Sequence, residues 1–263
     1  MSPSLHRALS GGVLTLTLDD PATRNSLSEA MMADLQNALD KARDDAETRV
    51  IVLAATGPAF CSGHNLKELT AHRGDADKGE NYFSSLFARC GRLMQSIVNH
   101  PRPVIAAVQG LASAAGCQLV ASCDLAVASD KAGFCTPGVN IGLFCSTPMV
   151  ALSRNLSPKH AMEMLLTGDV FPAGDALRFG LVNKVVSPNE LPKTVTGLAA
   201  KIASKSSRTI GIGKRAFYPQ LDLPLADAYA MTARVMAENM MTRDAEEGIG
   251  AFIAKRPPQW THG

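Results

Sequence analysis

The amino-acid sequence predicts an α/β fold, and three observations carry that prediction. Residues 13–18 alternate apolar and polar side chains with the period of a strand that has one wet face. A helical pattern follows, and then a continuous apolar run over residues 50–55, so the three form a β-α-β unit that crosses over right-handed. From residue 191 onward the apolar spacing is helical, which confines the strands to the first two-thirds of the chain.

Each element has its own local reason. Asp19, Asp20 and Pro21 break the first strand. Ser26 and Glu29 have capping-box spacing and open a helix with Met31, Leu35, Ala38 and Leu39 on one face. Residues 56–65 read as a loop and 66–69 as a helical turn, while the polar stretch 71–79, with two glycines, reads as a mobile loop. Residues 83–98 put Phe83, Leu86, Phe87, Cys90, Leu93, Met94 and Ile97 on one side of a helix. Residues 104–108, 125–128 and 181–186 read as further strands. Ser157 followed by Pro158 starts a helix that ends near Gly168, and residues 172–179 form a short one closed by Gly180. Later helices are expected at 191–203, 209–217, 225–240 and 245–254.

The totals narrow the function classes. At 263 residues the chain suits one large domain, or one domain with an appendage. A net charge of +2 and the lack of a lysine-rich helix argue against a nucleic-acid surface. No apolar run is long enough for a membrane span, and residues 1–11 lack the apolar core of a secretory signal. Cys61, Cys90, Cys117, Cys123, Cys135 and Cys145 have no zinc-site spacing. They read as reduced, buried thiols of a cytoplasmic protein, and no metal site is expected.

The stretch around which the chain is organised is residues 103–124. A buried strand leads through Gln109 and Gly110 into Ala112, Ser113, Ala114, Ala115 and Gly116, and a short helix follows. Such a turn leaves backbone N–H groups free at a helix start, with no bulky side chain to keep a ligand carbonyl away. The same residues also read as a small-residue helix packed closely on a sheet.

A second loop, residues 59–68, stands beside this stretch in the argument. With Arg24 to Leu27 upstream and Leu166 to Gly168 and Gly180 to Asn183 downstream, the chain resembles the enoyl-CoA hydratase/isomerase (crotonase) family over nearly its whole length. The resemblance implies a right-handed superhelix of β-β-α units in residues 1–200 and a helical oligomerisation region in 201–263. It implies a homotrimer or dimer of trimers, and an acyl-CoA or enoyl-CoA thioester as ligand. Coenzyme A is then part of the substrate, and no separate cofactor is expected. Two backbone N–H groups, those of His64 and Ala115, are expected to grip the thioester oxygen. Such donors stabilise charge that develops there more than they stabilise the ground state. Arg24, Ser62, Asn65, Leu66, Lys67, Gly116, Phe252 and Lys255 complete the expected ligand contacts.

The departures from the family pattern bear on chemistry. Family hydratases use two glutamates, and the corresponding positions here are Gln118 and Gly138; a third family position, acidic in some isomerases and dehalogenases, is Ser146. An amide is a very poor general base, and glycine offers no side chain. His64 is the best substitute by position and pKa range, or it simply flanks the pocket. Glu68 reads as a helix-start carboxylate, Asp124 as a structural acceptor, and the cysteines as inert. Lys67, Lys255 and Arg256 either meet CoA phosphates or are ordinary charged helix positions. The residues from Met236 to Met241 read as helix packing. Two functions stay open: an enzyme of the hydratase/isomerase class with an unusual acid or base, and a CoA-thioester binding or regulatory protein without hydratase chemistry.

Overall fold

A computed structural model describes residues 5–262 of the chain. The chain opens with a hairpin, β1 (Leu5–Ser10) paired antiparallel with β2 (Val13–Leu18). Leu14, Leu16 and Leu18 are buried while Val13, Thr15 and Thr17 are half-buried, as the alternation requires. Helix α1 (Glu29–Asp44) then returns the chain to β3 (Val50–Ala55), which lies parallel to β2. The expected β-α-β unit is therefore present. The first strand of the hairpin carries one buried residue, Leu5, so it has almost no apolar period to detect.

The chain continues through β4 (Ala59–Cys61), α2 (Leu66–Ala71), α3 (Glu80–Val98), β5 (Val104–Val108), β6 (Leu111–Ser113), α4 (Ala115–Ser122), β7 (Leu125–Ser129) and β8 (Gly133–Cys135). After these come α5 (Ser146–Leu152), α6 (Pro158–Thr167), β9 (Phe171–Pro172), α7 (Ala173–Phe179) and β10 (Lys184–Val186). Four helices close the fold: α8 (Leu191–Ala203), α9 (Ser207–Gln220), α10 (Leu225–Met240) and α11 (Arg243–Ile253). The six-stranded sheet has the order β1-β2-β3-β5-β7-β10, and the four-stranded sheet the order β4-β6-β8-β9. All pairs are parallel except β1 with β2 and β8 with β9.

The main core lies between the sheets and helices α1, α3 and α4, with Phe60, Phe134, Leu16, Leu53 and Met31 fully buried. A second core forms on the other face of the larger sheet, where Leu191, Val195, Ala199 and Ala203 of α8 cover Val50, Val52, Ile105 and Val127. Strands β3 and β5 are buried on both faces, so they read as continuous apolar runs.

Several expected boundaries move for identifiable reasons. Helix α1 is capped by Ser28, whose side chain accepts the Met31 N–H, and not by Ser26. Leu27 is engaged in a bridge with His64, so the chain stays extended two residues longer than the capping-box spacing suggests. Residues 59–61 and 111–113 are short strands where a loop and a turn are expected; three-residue strands are too brief to show a period. The last strand is only Lys184–Val186, because Asn183 turns its side chain onto the Ala126 N–H at 2.8 Å. Residues 72–74 of the polar stretch form a 3₁₀ turn. All six cysteines are buried and unpaired, as expected.

The C-terminal helices are tied to the core by a buried polar cluster. Asp124 accepts the Lys214 Nζ at 2.6 Å, the Tyr218 hydroxyl at 2.7 Å and the Val104 N–H at 2.7 Å. Lys214 also donates to the carbonyls of Ile97 and Arg102. Burial pulls the Lys214 pKa down and pushes that of Tyr218 up. Asp124→Ala should cost about 3–5 kcal/mol in urea unfolding, because the Lys214 ammonium is left buried without its counter-charge.

His100 is fully buried beside this cluster. Its Nδ1 accepts the Arg102 N–H at 3.1 Å and its Nε2 donates to the Leu39 carbonyl at 3.0 Å. Burial, reinforced by the Lys214 and Arg43 charges, holds its pKa at about 4, below the ordinary 6.5. Between these values the unfolded chain takes up the proton first. The contribution of His100 is thus complete above about pH 6.5 and declines as pH falls toward 4, by up to about 3 kcal/mol. Urea titrations at neutral pH and near pH 4.5 should show this loss, and His100→Gln should flatten it.

Candidate functional site

The two loops singled out in the sequence meet at the edge of the small sheet. Beyond β4 the chain runs through Ser62, Gly63 and His64, and beyond β6 through Ala114 into the first turn of α4. One side of the Ser62–His64 segment is fastened to residues 24–27. The Ser62 N–H donates to the Arg24 carbonyl at 3.0 Å, and the Leu27 N–H to the Gly63 carbonyl at 2.8 Å. Asn25, buried and at φ 55°, holds this junction. Its amide donates to the carbonyls of Thr56 and Ala59, both at 2.8 Å, and accepts the Asp20 N–H at 2.7 Å. The expected site residues do not include Asn25. Its sequence signal is weak: asparagine is the non-glycine residue that best tolerates the left-handed region.

The other side of the segment lies against α4. A Cβ on Gly63 would stand 3.1 Å from the Ser113 carbonyl oxygen and 3.4 Å from the Ala115 nitrogen. A Cβ on Gly116 would come within 2.2 Å of the Cys61 carbonyl oxygen. Both glycines are thus needed for the close approach of the two chains. Ala114 adopts φ 49° and ψ −116°, the geometry of the first central residue of a type II′ turn, which normally calls for glycine. Gly63 has φ +91°. Among the described residues neither the His64 N–H nor the Ala115 N–H donates a backbone hydrogen bond. Two unspent N–H groups therefore sit on adjacent chain segments, each preceded by a residue at positive φ.

The buried side chains around this point are uncharged, and the charges of Arg24 and Lys67 stand at its exposed rim. Gln118, on α4, is buried, and its Oε1 lies 3.9 Å from the Cys90 Sγ. Burial pushes the thiols of Cys61 and Cys90 up to about 12 and raises those of Cys117, Cys135 and Cys145. All are protonated near neutral pH. His64 directs Nδ1 at the Leu27 carbonyl, 3.3 Å away, which places the proton on that nitrogen. Its Nε2 is buried without a partner, and burial lowers its pKa, so the ring is neutral. Phe87 packs edge-on against it at 5.5 Å.

The remaining expected residues separate into two groups. Asn65 caps α2 by accepting the Lys67 N–H at 3.1 Å and donates to Glu68 at 3.2 Å. Glu68 also accepts the Glu29 N–H at 3.0 Å, so its carboxylate caps α1 and ties α2 to it. Leu66, Lys67 and Arg24 are exposed at the rim. Gly138 sits in a 3₁₀ turn, where a Cβ would be 2.6 Å from the Leu143 carbonyl oxygen and 2.9 Å from the Cys145 Sγ. Ser146 starts α5, with its hydroxyl on the Phe144 carbonyl at 3.3 Å. Phe252 and Lys255 lie apart from these loops within one chain. Helix α11 packs on α9 and α10, and Phe252 is 85 % exposed. No group of metal-ligating side chains occurs among the described residues, and none of their helices is long and apolar enough to cross a membrane.

Two mostly parallel sheets, a helical C-terminal region and a turn with free amides define a class of α/β fold, and comparison identifies it. A model of the enoyl-CoA hydratase/isomerase family matches residues 8–263, and the chain belongs to that family. Enoyl-CoA hydratase domain-containing protein 3, mitochondrial, from Homo sapiens is 49% identical over 251 residues, covering 95% of this chain and 81% of the human one. Its Xenopus laevis counterpart is also 49% identical, covering 95% of this chain and 84% of the frog one. The crystal structure of the human protein superimposes with a TM-score of 0.93 at 48% identity, covering 98% of this chain and 100% of that one. An enoyl-CoA hydratase from Mycobacterium smegmatis gives a TM-score of 0.93 at 48% identity over 98% of this chain and 99% of its own. The fold is the crotonase fold. The expectation of a cytoplasmic protein is overturned, because these vertebrate relatives are named mitochondrial. Cysteine burial and the composition of the first residues carried that expectation, and neither separates two reducing compartments.

The strain at Ala114 is open to direct measurement. Ala114→Gly removes the Cβ that disfavours φ 49° and should raise stability by about 1 kcal/mol, or leave it unchanged where unfolded-state entropy offsets the gain. A loss of more than about 1 kcal/mol in chemical denaturation contradicts strain at this turn.

Proposed function

We propose that the protein binds acyl-CoA thioesters, enoyl-CoA among them, by hydrogen-bonding the thioester oxygen to the N–H groups of His64 and Ala115. We further propose that it does so without the two-carboxylate hydration chemistry expected of family hydratases. The observation that carries the reading is the strained Ala114, which leaves the Ala115 N–H without an acceptor next to the Gly63–His64 peptide. Backbone donors fixed in this way need no reorganisation when charge develops on a bound oxygen, and each is worth about 3 kcal/mol of barrier. Arg24, Ser62, Asn65, Leu66, Lys67 and Gly116 border the same point.

The second half of the reading rests on what flanks the donors. Gln118 supplies an amide where hydration calls for a carboxylate, and the Leu143 carbonyl and Cys145 thiol crowd the Cβ direction of Gly138. Positioned acids and bases contribute about 10²–10⁴ in rate, so their lack is severe. No separate cofactor enters the proposal. Phe252 and Lys255 reach a ligand only from a neighbouring copy. Leu225, Tyr229, Met241, Phe252 and Ile253 are all more than 70 % exposed, an apolar face suited to a homotrimer or dimer of trimers.

A second reading has one observation in its favour. The unpartnered Nε2 of neutral His64 is a free lone pair beside the donors, which suits a general base for a hydratase or isomerase step. Calorimetry with acetyl-CoA and crotonyl-CoA, together with infrared spectra of a ¹³C-labelled thioester carbonyl, separates the outcomes. The expected result is saturable binding, a carbonyl stretch moved to lower frequency and no hydration of crotonyl-CoA. Failure to bind at millimolar concentration overturns the proposal. Rapid hydration overturns its second half, and loss of that hydration in His64→Gln selects the second reading.

A further inference from the structure

We propose that the cleft between the first turns of α9 and the Pro101–Arg102 turn is a binding site for a phosphate or diphosphate group. The cleft has a volume of about 250 Å³ and is lined by four arginines, Arg43, Arg102, Arg208 and Arg215, with His262. They come from three separate regions: the end of α1, the turn before β5 and one face of α9. Arg208, Gly211 and Arg215 share that face at helical spacing. A Cβ on Gly211 would stand 3.3 Å from the Pro101 carbonyl oxygen, so the glycine lets α9 lie down on the turn and brings its arginines to Arg102.

Among the described residues the positive charge is not answered by an ion pair: none of the four arginines makes one. The carboxylate that acts on Arg102 is Asp45, but it is turned onto the Thr48 hydroxyl at 2.6 Å and the Glu47 N–H at 3.0 Å. Arg102 reaches only the Asp45 backbone carbonyl, at 3.4 Å, and its Nε is buried with no partner. The carboxylate of Asp244 accepts the N–H groups of Thr261 and His262 and so positions the imidazole. His262 Nδ1 accepts the Ser207 N–H at 3.3 Å, which leaves its proton on Nε2 as a donor.

Four guanidinium groups around one small cavity repel each other unless an anion lies between them. Their planar forks match tetrahedral oxyanions, and the N-terminus of the 14-residue α9 adds its own positive field. The volume suits a compact polyanion rather than an extended acidic chain. The cleft opens where β5 begins, whereas His64 and Ala115 follow β4 and β6. The phosphate proposed here therefore does not depend on the thioester reading.

Calorimetry at low ionic strength with inorganic phosphate, pyrophosphate and ADP tests the site. Saturable binding is expected, tightest for the diphosphates and weakened by added salt. Arg208→Gln with Arg215→Gln should weaken it at least tenfold, since each removes a charge-assisted hydrogen bond. Arg154→Gln, elsewhere on the surface, should leave it unchanged. Both α9 arginines are exposed, so folding is expected to survive, and circular dichroism checks it. Competition with acetyl-CoA assigns the source: mutual displacement points to the phosphates of CoA, and simultaneous binding to a separate phosphorylated ligand. No saturable binding of any of the three anions, equal weakening by all variants, or binding of polyglutamate in their place overturns the proposal.

Discussion

The close approach of the first turn of α4 to the carbonyl of Cys61 is the constraint on which the site geometry depends. It demands glycine at 116, and it fixes how far β4 and β6 are offset from the helix that follows them. Gly63, one turn of chain beyond Cys61, faces the same junction from the other side. Once both glycines are in place, Ala114 is forced into a turn geometry that costs about 1–3 kcal/mol. That cost is borne by the surroundings: Ala112, Ala115, Cys117 and Leu119 are all buried, and the Ala114 N–H is held by the Cys135 carbonyl.

The larger features of this arrangement were legible in the residues, because period and punctuation survive without tertiary context. The alternation of residues 13–18, the buried runs at β3 and β5, and the Ser157–Pro158 and Gly180 signals all fall where the elements do. The small residues at 112–116 pointed to free amides at a helix start, and Ala115 is indeed the first residue of α4. What stayed hidden depends on distant partners. The strands β4 and β6 have three residues each and gain their identity only from pairing within the small sheet. Asn25 looks like any loop asparagine until its amide meets Thr56 and Ala59, more than thirty residues away. The crowding at Gly138 comes from Leu143 and Cys145 folding back over it, which spacing alone does not show.

The C-terminal helices obey a different logic from the core. Only Ala228 is buried on α10, and only Asp244 and Ala251 on α11. They hold their places through specific polar anchors instead. Asp124 grips Lys214 and Tyr218 of α9, Asp244 grips the backbone at Thr261 and His262, and Glu247 pairs with Arg256 through two bonds of 2.6 and 2.8 Å. The buried ion pair of Asp124 with Lys214 adds less stability than apolar packing of equal volume, but it specifies one orientation, since a mispositioned partner leaves a charge unpaired.

The electrostatic character of the candidate site also separates binding from turnover. The buried titratable groups beside the free amides are held in their neutral forms: His64 by a lowered pKa, and Cys61, Cys90 and Cys117 by raised ones. The Glu68 carboxylate is committed to capping α1. Buried, uncharged neighbours lower the local dielectric and so strengthen two N–H donors. The same surround has an amide at Gln118 and no side chain at Gly138, so neither position offers a carboxylate to move a proton. On the proposed reading, polarisation of a carbonyl and transfer of a proton are decoupled. Under that proposal the chain holds a thioester rather than transforming it, and the lone pair of His64 Nε2 is the group that the alternative reading would use as a base.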